Sequence, residues 1–203
     1  MYTNFIKRPV DLVTSVIVLI LLSPLTTLVL IIQFTIYGKR AFFLQKRSGI
    51  DGKDFYIIKF RTMHDAYDTH GNKLPDTKRI TKFGKFLRHS SIDEIPSLFN
   101  VLSGQMSLVG PRPLPSHYYV KMSPKLKLRN SVKPGMTGLA QAMGRNNLSW
   151  KEKFNFDIIY IQNISFMSDI KIVLRTLLVL FSKKNNTDLG EQSFDNYLPN
   201  FDN

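Results

Sequence analysis

The chain has 203 residues, enough for one compact core and at most one appendage. Its 28 lysines and arginines against 15 aspartates and glutamates give a formal charge of +13, which points to an anionic partner: nucleic acid, an anionic membrane surface or a phosphorylated substrate. Cysteine is absent, so disulfides, thiol nucleophiles and thiolate metal sites are excluded, and any metal is left to oxygen ligands or the four histidines, a donor set suited to magnesium or manganese.

From Leu12 to Gly38 there are 27 consecutive uncharged residues, long enough for a bilayer span and too long for a signal-peptide core. Ser23-Pro24 falls near the middle, where proline removes a backbone hydrogen bond and bends a helix. The two arms of about 11 to 12 residues reach only about 16 to 18 Å each, roughly half a bilayer. Lys7-Arg8 precede the run and Lys39-Arg40 follow it, so the positive-inside rule puts both ends on the cytoplasmic face. The expectation is a re-entrant helix-break-helix over residues 1–40, with Ser23 capping a carbonyl freed at the bend. An ordinary kinked transmembrane helix is the alternative that these features leave open.

Phe42 to Arg47 and Phe55 to Arg61 read as strands joined by a Gly49-Ile50-Asp51-Gly52 turn. By the period-two rule Phe55, Ile57, Lys59 and Arg61 share a face, so two cations project together at its end. Asp65 to Lys78 is polar, with Gly71 and Pro75, and reads as a loop; Arg79 to His89 carries a basic stripe onward, and Arg88 is close enough in sequence to pair with Asp93 or a substrate phosphate.

Ser90 to Pro113 organises the chain. Ser91-Ile92-Asp93-Glu94 is an S-x-x-E helix start, which places both carboxylates in a first turn where the helix dipole favours negative charge. A carboxylate kept ionised there can act as nucleophile or metal ligand. Ile95, Leu98, Phe99 and Leu102 recur at helical spacing as the anchoring face, and Gly104 offers a stop. Pro96 confines the cap to Ser91–Asp93. Val109-Gly110-Pro111-Arg112-Pro113 then holds a guanidinium between two prolines, a planar fork suited to phosphate oxygens.

Between His117 and Lys133, the cations Lys121, Lys125, Lys127, Arg129 and Lys133 alternate with Tyr118, Tyr119, Val120, Leu126 and Leu128, a pattern fitting an anionic membrane surface or a solvated basic face. Lys133 to Gly138 and Gly144-Arg145-Asn146 read as loops able to bring backbone amides and Arg145 to a phosphate, though the spacing matches no Walker or dinucleotide fingerprint. Ser149-Trp150-Lys151-Glu152 opens a helix to about Asn163, on which Asp157 reads as a surface residue. Ile170, Val173, Leu174, Leu177, Leu178 and Phe181 form a helical stripe opposite Lys171, Arg175 and Ser182, either a second interfacial anchor or a core helix. The tail carries only acids after Asn185, leaving about +17 on the rest, and residues 185–203 are expected to be mobile.

Assembled, these residues resemble the bacterial sugar transferase family of small monotopic phosphoglycosyl transferases. The likeness runs from about Lys7 to Thr176. Besides Ser23-Pro24 it rests on Phe43-x-Gln45-x-Arg47-x-Gly49, Gly52-Lys53, Lys59-Phe60-Arg61-Thr62-Met63, Thr81-Lys82-x-Gly84-x-x-Leu87-Arg88, Asp93-Glu94-x-Pro96, Met106 to Pro113, and Lys133 to Gly138. The fold it implies is α+β: a re-entrant membrane helix (1–40), a small, mostly helical cytoplasmic domain with a β-hairpin and interfacial amphipathic helices (41–184), and a polar tail. The activity implied is transfer of sugar 1-phosphate from a UDP-sugar to polyprenol (undecaprenyl) phosphate at the bacterial inner membrane, releasing UMP and starting glycoconjugate assembly. By the same resemblance Asp93 is the nucleophile, forming an aspartyl-phosphosugar; Glu94 assists the metal or proton transfers; Mg2+ is the cofactor, held by Asp93 and Glu94; Arg112 binds phosphate; and Lys59, Arg88, Arg145, Asp157 and Asp169 form a polar shell. Membrane lipid and downstream glycosyltransferases are the implied partners, and nucleic acid is not. Gln105 and Ser97 depart from the family's usual aspartate and glutamine. The rival function is a non-catalytic, membrane-bound basic protein holding anionic lipid or nucleic acid through its charge.

Overall fold

The longest apolar stretch makes the longest element. In the computed structural model, which describes residues 2–144 and 147–181, helix α1 runs unbroken from Lys7 to Tyr37 with Pro24 inside it. The expected break at Ser23-Pro24 is therefore not a break in the helix. Pro24 cannot donate to Ile20 O, but Ser23 Oγ–H donates to that carbonyl at 2.8 Å, so the lost bond is replaced locally. Ile17, Ile20, Leu21, Leu25 and Leu28 are all exposed.

Both ends of α1 are fastened to the rest of the chain. Near its start Arg8 donates to the carbonyls of Val101 and Leu102 (2.5 and 2.9 Å), and the buried Asp11 accepts from Ser107 Oγ (2.7 Å) and the Leu108 N–H (3.2 Å). Lys7 pairs with Asp169 at 2.5 Å. Near its end Val29 is buried with Phe60 and Leu87, and the hydroxyls of Tyr37 and Thr81 lie 3.1 Å apart.

Strands β1 (Phe42–Ser48) and β2 (Asp54–Phe60) form the expected antiparallel hairpin, in a register that sets Phe43 opposite Lys59, Gln45 opposite Ile57 and Arg47 opposite Phe55. Its turn uses Asp51 and Gly52 at φ 52° and 76°, and a Cβ at Gly52 would fall 2.1 Å from the Tyr119 ring, so glycine is required there twice over. The 65–78 segment is mostly loop, closing in the short α2 (Asp76–Arg79). Helix α3 (Lys82–Ser90) follows, capped by Thr81.

The acidic stretch departs from expectation. Ser91 is in the left-handed region with no side-chain cap, and Ile92–Ser97 is a 3₁₀ helix that passes into a short α4 (Leu98–Leu102). Three residues per turn, instead of 3.6, shifts the phase: Ile95, Leu98 and Val101 are buried, while Phe99 points outward at 56% exposure. Gly104 ends the element as expected, at φ 83°.

The 133–138 segment also departs, being partly strand. β4 (Gly135–Thr137) pairs in parallel with β3 (Ser107–Val109). The crossing is so close that a Cβ on Gly135 would lie 2.1 Å from Gly110 N. Between these strands lie α5 (Ser116–Lys121) and α6 (Pro124–Lys127). The expected basic face loses one member, because Arg129 is 4% exposed.

The chain continues through α7 (Leu139–Met143) to α8 (Trp150–Gln162), which opens with the complete Ser149/Glu152 capping box. In α9 (Phe166–Phe181) the buried residues are Asp169 and Ile172, and Val173, Leu174, Leu177 and Leu178 are exposed, so the apolar stripe does not pack in the core. Residues 185–203 lie outside the described residues.

Candidate functional site

Three elements far apart in sequence converge. Strand β2 projects Lys59, the 3₁₀ helix carries Asp93 and Glu94, and the loop after β3 carries Arg112. Their alignment follows from how the acidic segment docks on β2, whose free edge would otherwise leave backbone groups unpaired. Asn100 closes that edge, its Oδ1 accepting from the Ile58 N–H (3.0 Å) and its Nδ2 donating to Tyr56 O (2.7 Å), while Ser97 Oγ–H donates to Ile58 O (2.8 Å). Gln105 Oε1 accepts from Asn100 Nδ2 at 2.7 Å. Ser97 and Gln105, the two departures from the family pattern, thus belong to one network, and it holds the acidic turn against β2.

Glu94 sits between two cations: Lys59 Nζ donates to its Oε1 at 2.6 Å and Arg112 Nη2 to the same oxygen at 3.1 Å. Burial pushes the Glu94 carboxyl up, but Arg112 and then Lys59 outweigh it and hold it at about 2. Lys59 is lowered by burial first and then by Arg112, against the pull of Glu94.

Asp93 behaves differently. It is 7% exposed and makes no hydrogen bond or ion pair among the described residues. Burial and then the charge of Glu94 push it up to about 6, against Lys59, Arg88 and Arg112. The expected helix dipole does not hold the value low, because a six-residue 3₁₀ turn offers little dipole to offset desolvation. Near neutrality it is a mostly ionised, unengaged carboxylate beside three cations.

The other expected residues divide. Arg88 Nε donates to Thr62 Oγ1 at 2.9 Å, and its charge reaches Asp93 without direct contact. Arg61, expected to project with Lys59, turns instead to Arg40 O (2.7 Å) and Asp65 (3.2 Å). Asp157 is not a surface residue: it accepts from Arg129 Nε and Nη2 at 3.0 and 2.8 Å, and both side chains are buried. Arg129 Nη2 also donates to Arg112 O at 2.7 Å, so this pair braces the backbone of Arg112. Asp169 accepts from Lys7 and Tyr2, and the single Tyr160 O–H is shared between Asp169 Oδ1 (2.8 Å) and Val109 O (3.0 Å), so Asp169 joins α1 and α9 and is not part of the cluster. Arg145 lies outside the described residues.

Sequence reasoning missed Asn100 and the role of Arg129. Asn100 gave the one usable signal, a polar residue amid the apolar positions of the acidic helix.

For magnesium the donor set fits in one form only. Among the described residues no group of three metal-ligating side chains occurs, so an all-protein cage is absent. Magnesium commonly takes one or two carboxylates together with substrate phosphates. Asp93 is the open donor, whereas Glu94 Oε1 is engaged by two cations.

These values set a pH dependence. With its value raised, Asp93 costs the fold stability on ionising, progressively as pH climbs from about 4 to about 6; Glu94, with its value lowered, contributes stability that is full above about 4.5 and lost as pH falls toward about 2. For any reaction that uses the Asp93 carboxylate, kcat/KM should fall about tenfold per pH unit below about 6 and level off above it. A pH–rate profile flat down to pH 4 would contradict this assignment.

A sequence model of the family described as Bacterial sugar transferase matches residues 2–183. An uncharacterized sugar transferase of Bacillus subtilis, EpsL, is 45% identical over 172 residues, 85% of each chain. The UDP-glucose:undecaprenyl-phosphate glucose-1-phosphate transferase of Klebsiella pneumoniae is 40% identical over 189 residues, 88% of this chain and 40% of that protein. The undecaprenyl-phosphate galactose phosphotransferase of Salmonella typhimurium is 37% identical over 198 residues, 89% of this chain and 41% of its own length. The chain thus spans most of one relative and about two fifths of the two longer ones.

Proposed function

The chain belongs to the bacterial sugar transferase family, and from that membership we propose that it transfers sugar 1-phosphate from a UDP-sugar to undecaprenyl phosphate. The observation that carries the reading is Asp93: an unengaged, largely ionised carboxylate beside Lys59, Arg88 and Arg112. An Asp93 oxygen attacks the phosphorus nearest the sugar. The P–O bond to the second phosphate breaks, UMP leaves with the bridging oxygen, and an aspartyl-phosphosugar remains. A phosphate oxygen of the polyprenol acceptor then attacks the same phosphorus and returns the carboxylate. Arg112 and Lys59 bind the phosphate oxygens and gather the charge that develops on them. Glu94 orients both cations through one oxygen. Asp93, together with the substrate phosphates, would hold a magnesium ion, which would supply charge neutralisation there.

Incubation with magnesium and a UDP-sugar, followed by intact-mass measurement, should reveal the phosphosugar adduct. No adduct and no UMP release across a panel of UDP-hexoses and N-acetylated UDP-sugars would overturn the reading. The rival of a non-catalytic basic protein does not account for so tightly paired a cluster, since binding by net charge needs no Lys59–Glu94–Arg112 alignment.

Residues 1–40 are the membrane element in this reading and 41–184 the catalytic domain at the inner-membrane surface. A re-entrant path is supported by both ends of α1 resting on the same domain, with the exposed apolar middle between them. The exposed stripe of α9 supports a second anchor lying in the interface. Single cysteines at Thr3 and Lys46 should both be labelled from the cytoplasmic side of sealed vesicles. Labelling from opposite sides would mean that α1 crosses.

A further inference from the structure

The hairpin face that carries Lys59 continues across the strand pair. In the observed register Phe43 stands opposite Lys59 and Gln45 opposite Ile57, and directly opposed side chains have Cβ atoms about 4.5–5.5 Å apart on the same face. Phe43 is 41% exposed although it borders the charged cluster. Gln45 is half-buried, and its orientation is set: Arg47 can only donate, and its Nη2 gives a 2.6 Å hydrogen bond to Gln45 Oε1. Arg47 is itself held by Pro113 O at 3.0 Å, on the loop of Arg112. The Gln45 Nε2 amine makes no hydrogen bond among the described residues. Beside the phosphate-binding cations there is thus an open aromatic ring and, one pleat further along, an unengaged donor of fixed direction.

The transferase mechanism uses neither group. Its substrate, however, carries a pyrimidine joined to the diphosphate, and unpaired bases are commonly held by stacking on an aromatic ring and reading one polar edge. Resting on the UDP-sugar reading above, we propose that Phe43 and Gln45 form the subsite for the uracil base, with the ring stacking on Phe43 and the Gln45 amine donating to the O4 carbonyl. Cytosine presents an amino donor where uracil presents O4, so donor would face donor. The pair therefore both binds the base and selects UDP- over CDP-sugars.

The test uses the full chain in lipid nanodiscs, with UMP, CMP and inorganic pyrophosphate as inhibitors of transfer. Phe43→Ala should raise the UDP-sugar KM and the UMP inhibition constant about tenfold, the loss of one stacked base, and leave pyrophosphate inhibition and the acceptor KM unchanged. Phe43→Tyr, which keeps the ring, should stay near wild type. Gln45→Ala should bring the UMP and CMP inhibition constants together. A rise in acceptor KM or a loss of membrane partitioning, with UMP inhibition unaltered, would make Phe43 a lipid contact and overturn the subsite. Equal weakening of UMP and pyrophosphate would overturn it as well. A wild type that releases UMP, with both alanine variants unchanged in every constant, sinks the subsite alone. A wild type that turns over no UDP-sugar removes the transferase reading together with it.

Discussion

Asp93→Asn should abolish sugar-phosphate transfer, with a loss of at least about 10³-fold, and should leave no phosphosugar adduct on the protein. The substitution keeps the shape and removes the nucleophile. It should not harm the fold. Asp93 is buried, has no bonding partner among the described residues and titrates at about 6, so above that pH its charge is a cost that the amide relieves. The variant should be at least as stable as the parent in denaturant unfolding near neutral pH and should still partition to membranes. Dead and stable together mark a chemical role. An Asn variant retaining a tenth of the activity would remove Asp93 from the chemistry.

Asp157→Ala should produce the largest loss of stability, about 3–5 kcal/mol, because it strands the Arg129 guanidinium in the interior. Activity should fall as well, since Arg129 Nη2 also holds Arg112 O. The two effects can be separated. Replacing both partners by apolar residues of similar volume, Arg129→Met with Asp157→Leu, removes the stranded charge and should recover most of the stability. It cannot restore the bond to Arg112 O, so activity should stay low, with the loss in kcat/KM measured against donor concentration. A double variant with parental activity would show that the brace does not matter to Arg112.

Where information was local, the sequence was readable. The uncharged run became α1, the Gly49–Gly52 turn joined the expected strands, and the Ser149/Glu152 box opened α8. The cluster members Lys59, Asp93, Glu94 and Arg112 were each visible as residues of a motif. What misled was a local pattern with two readings. S-x-x-E fits an α-helical cap, but with Pro96 close behind it the chain took the tighter 3₁₀ turn, and the buried face moved from Phe99 to Val101. The strands β3 and β4 are three residues each and pair across an intervening 25-residue connection, too short for any alternation to register. Arg129 and Asp157 read as surface charges because nothing in their own neighbourhoods marks them as a pair.

Local order and chemical type, then, were set by the residues alone: an apolar anchor, a basic chain without thiols, two adjacent carboxylates and a proline-clamped arginine. The tertiary structure alone decided which charges meet and which carboxylate is left open. Glu94 is drawn down by Lys59 and Arg112, while Asp93, its neighbour in the chain, is pushed up by burial and by Glu94 itself. A carboxyl's proton affinity depends on desolvation and on charges within several ångströms, and here Lys59 and Arg112 come from elements 35 and 18 residues from Glu94.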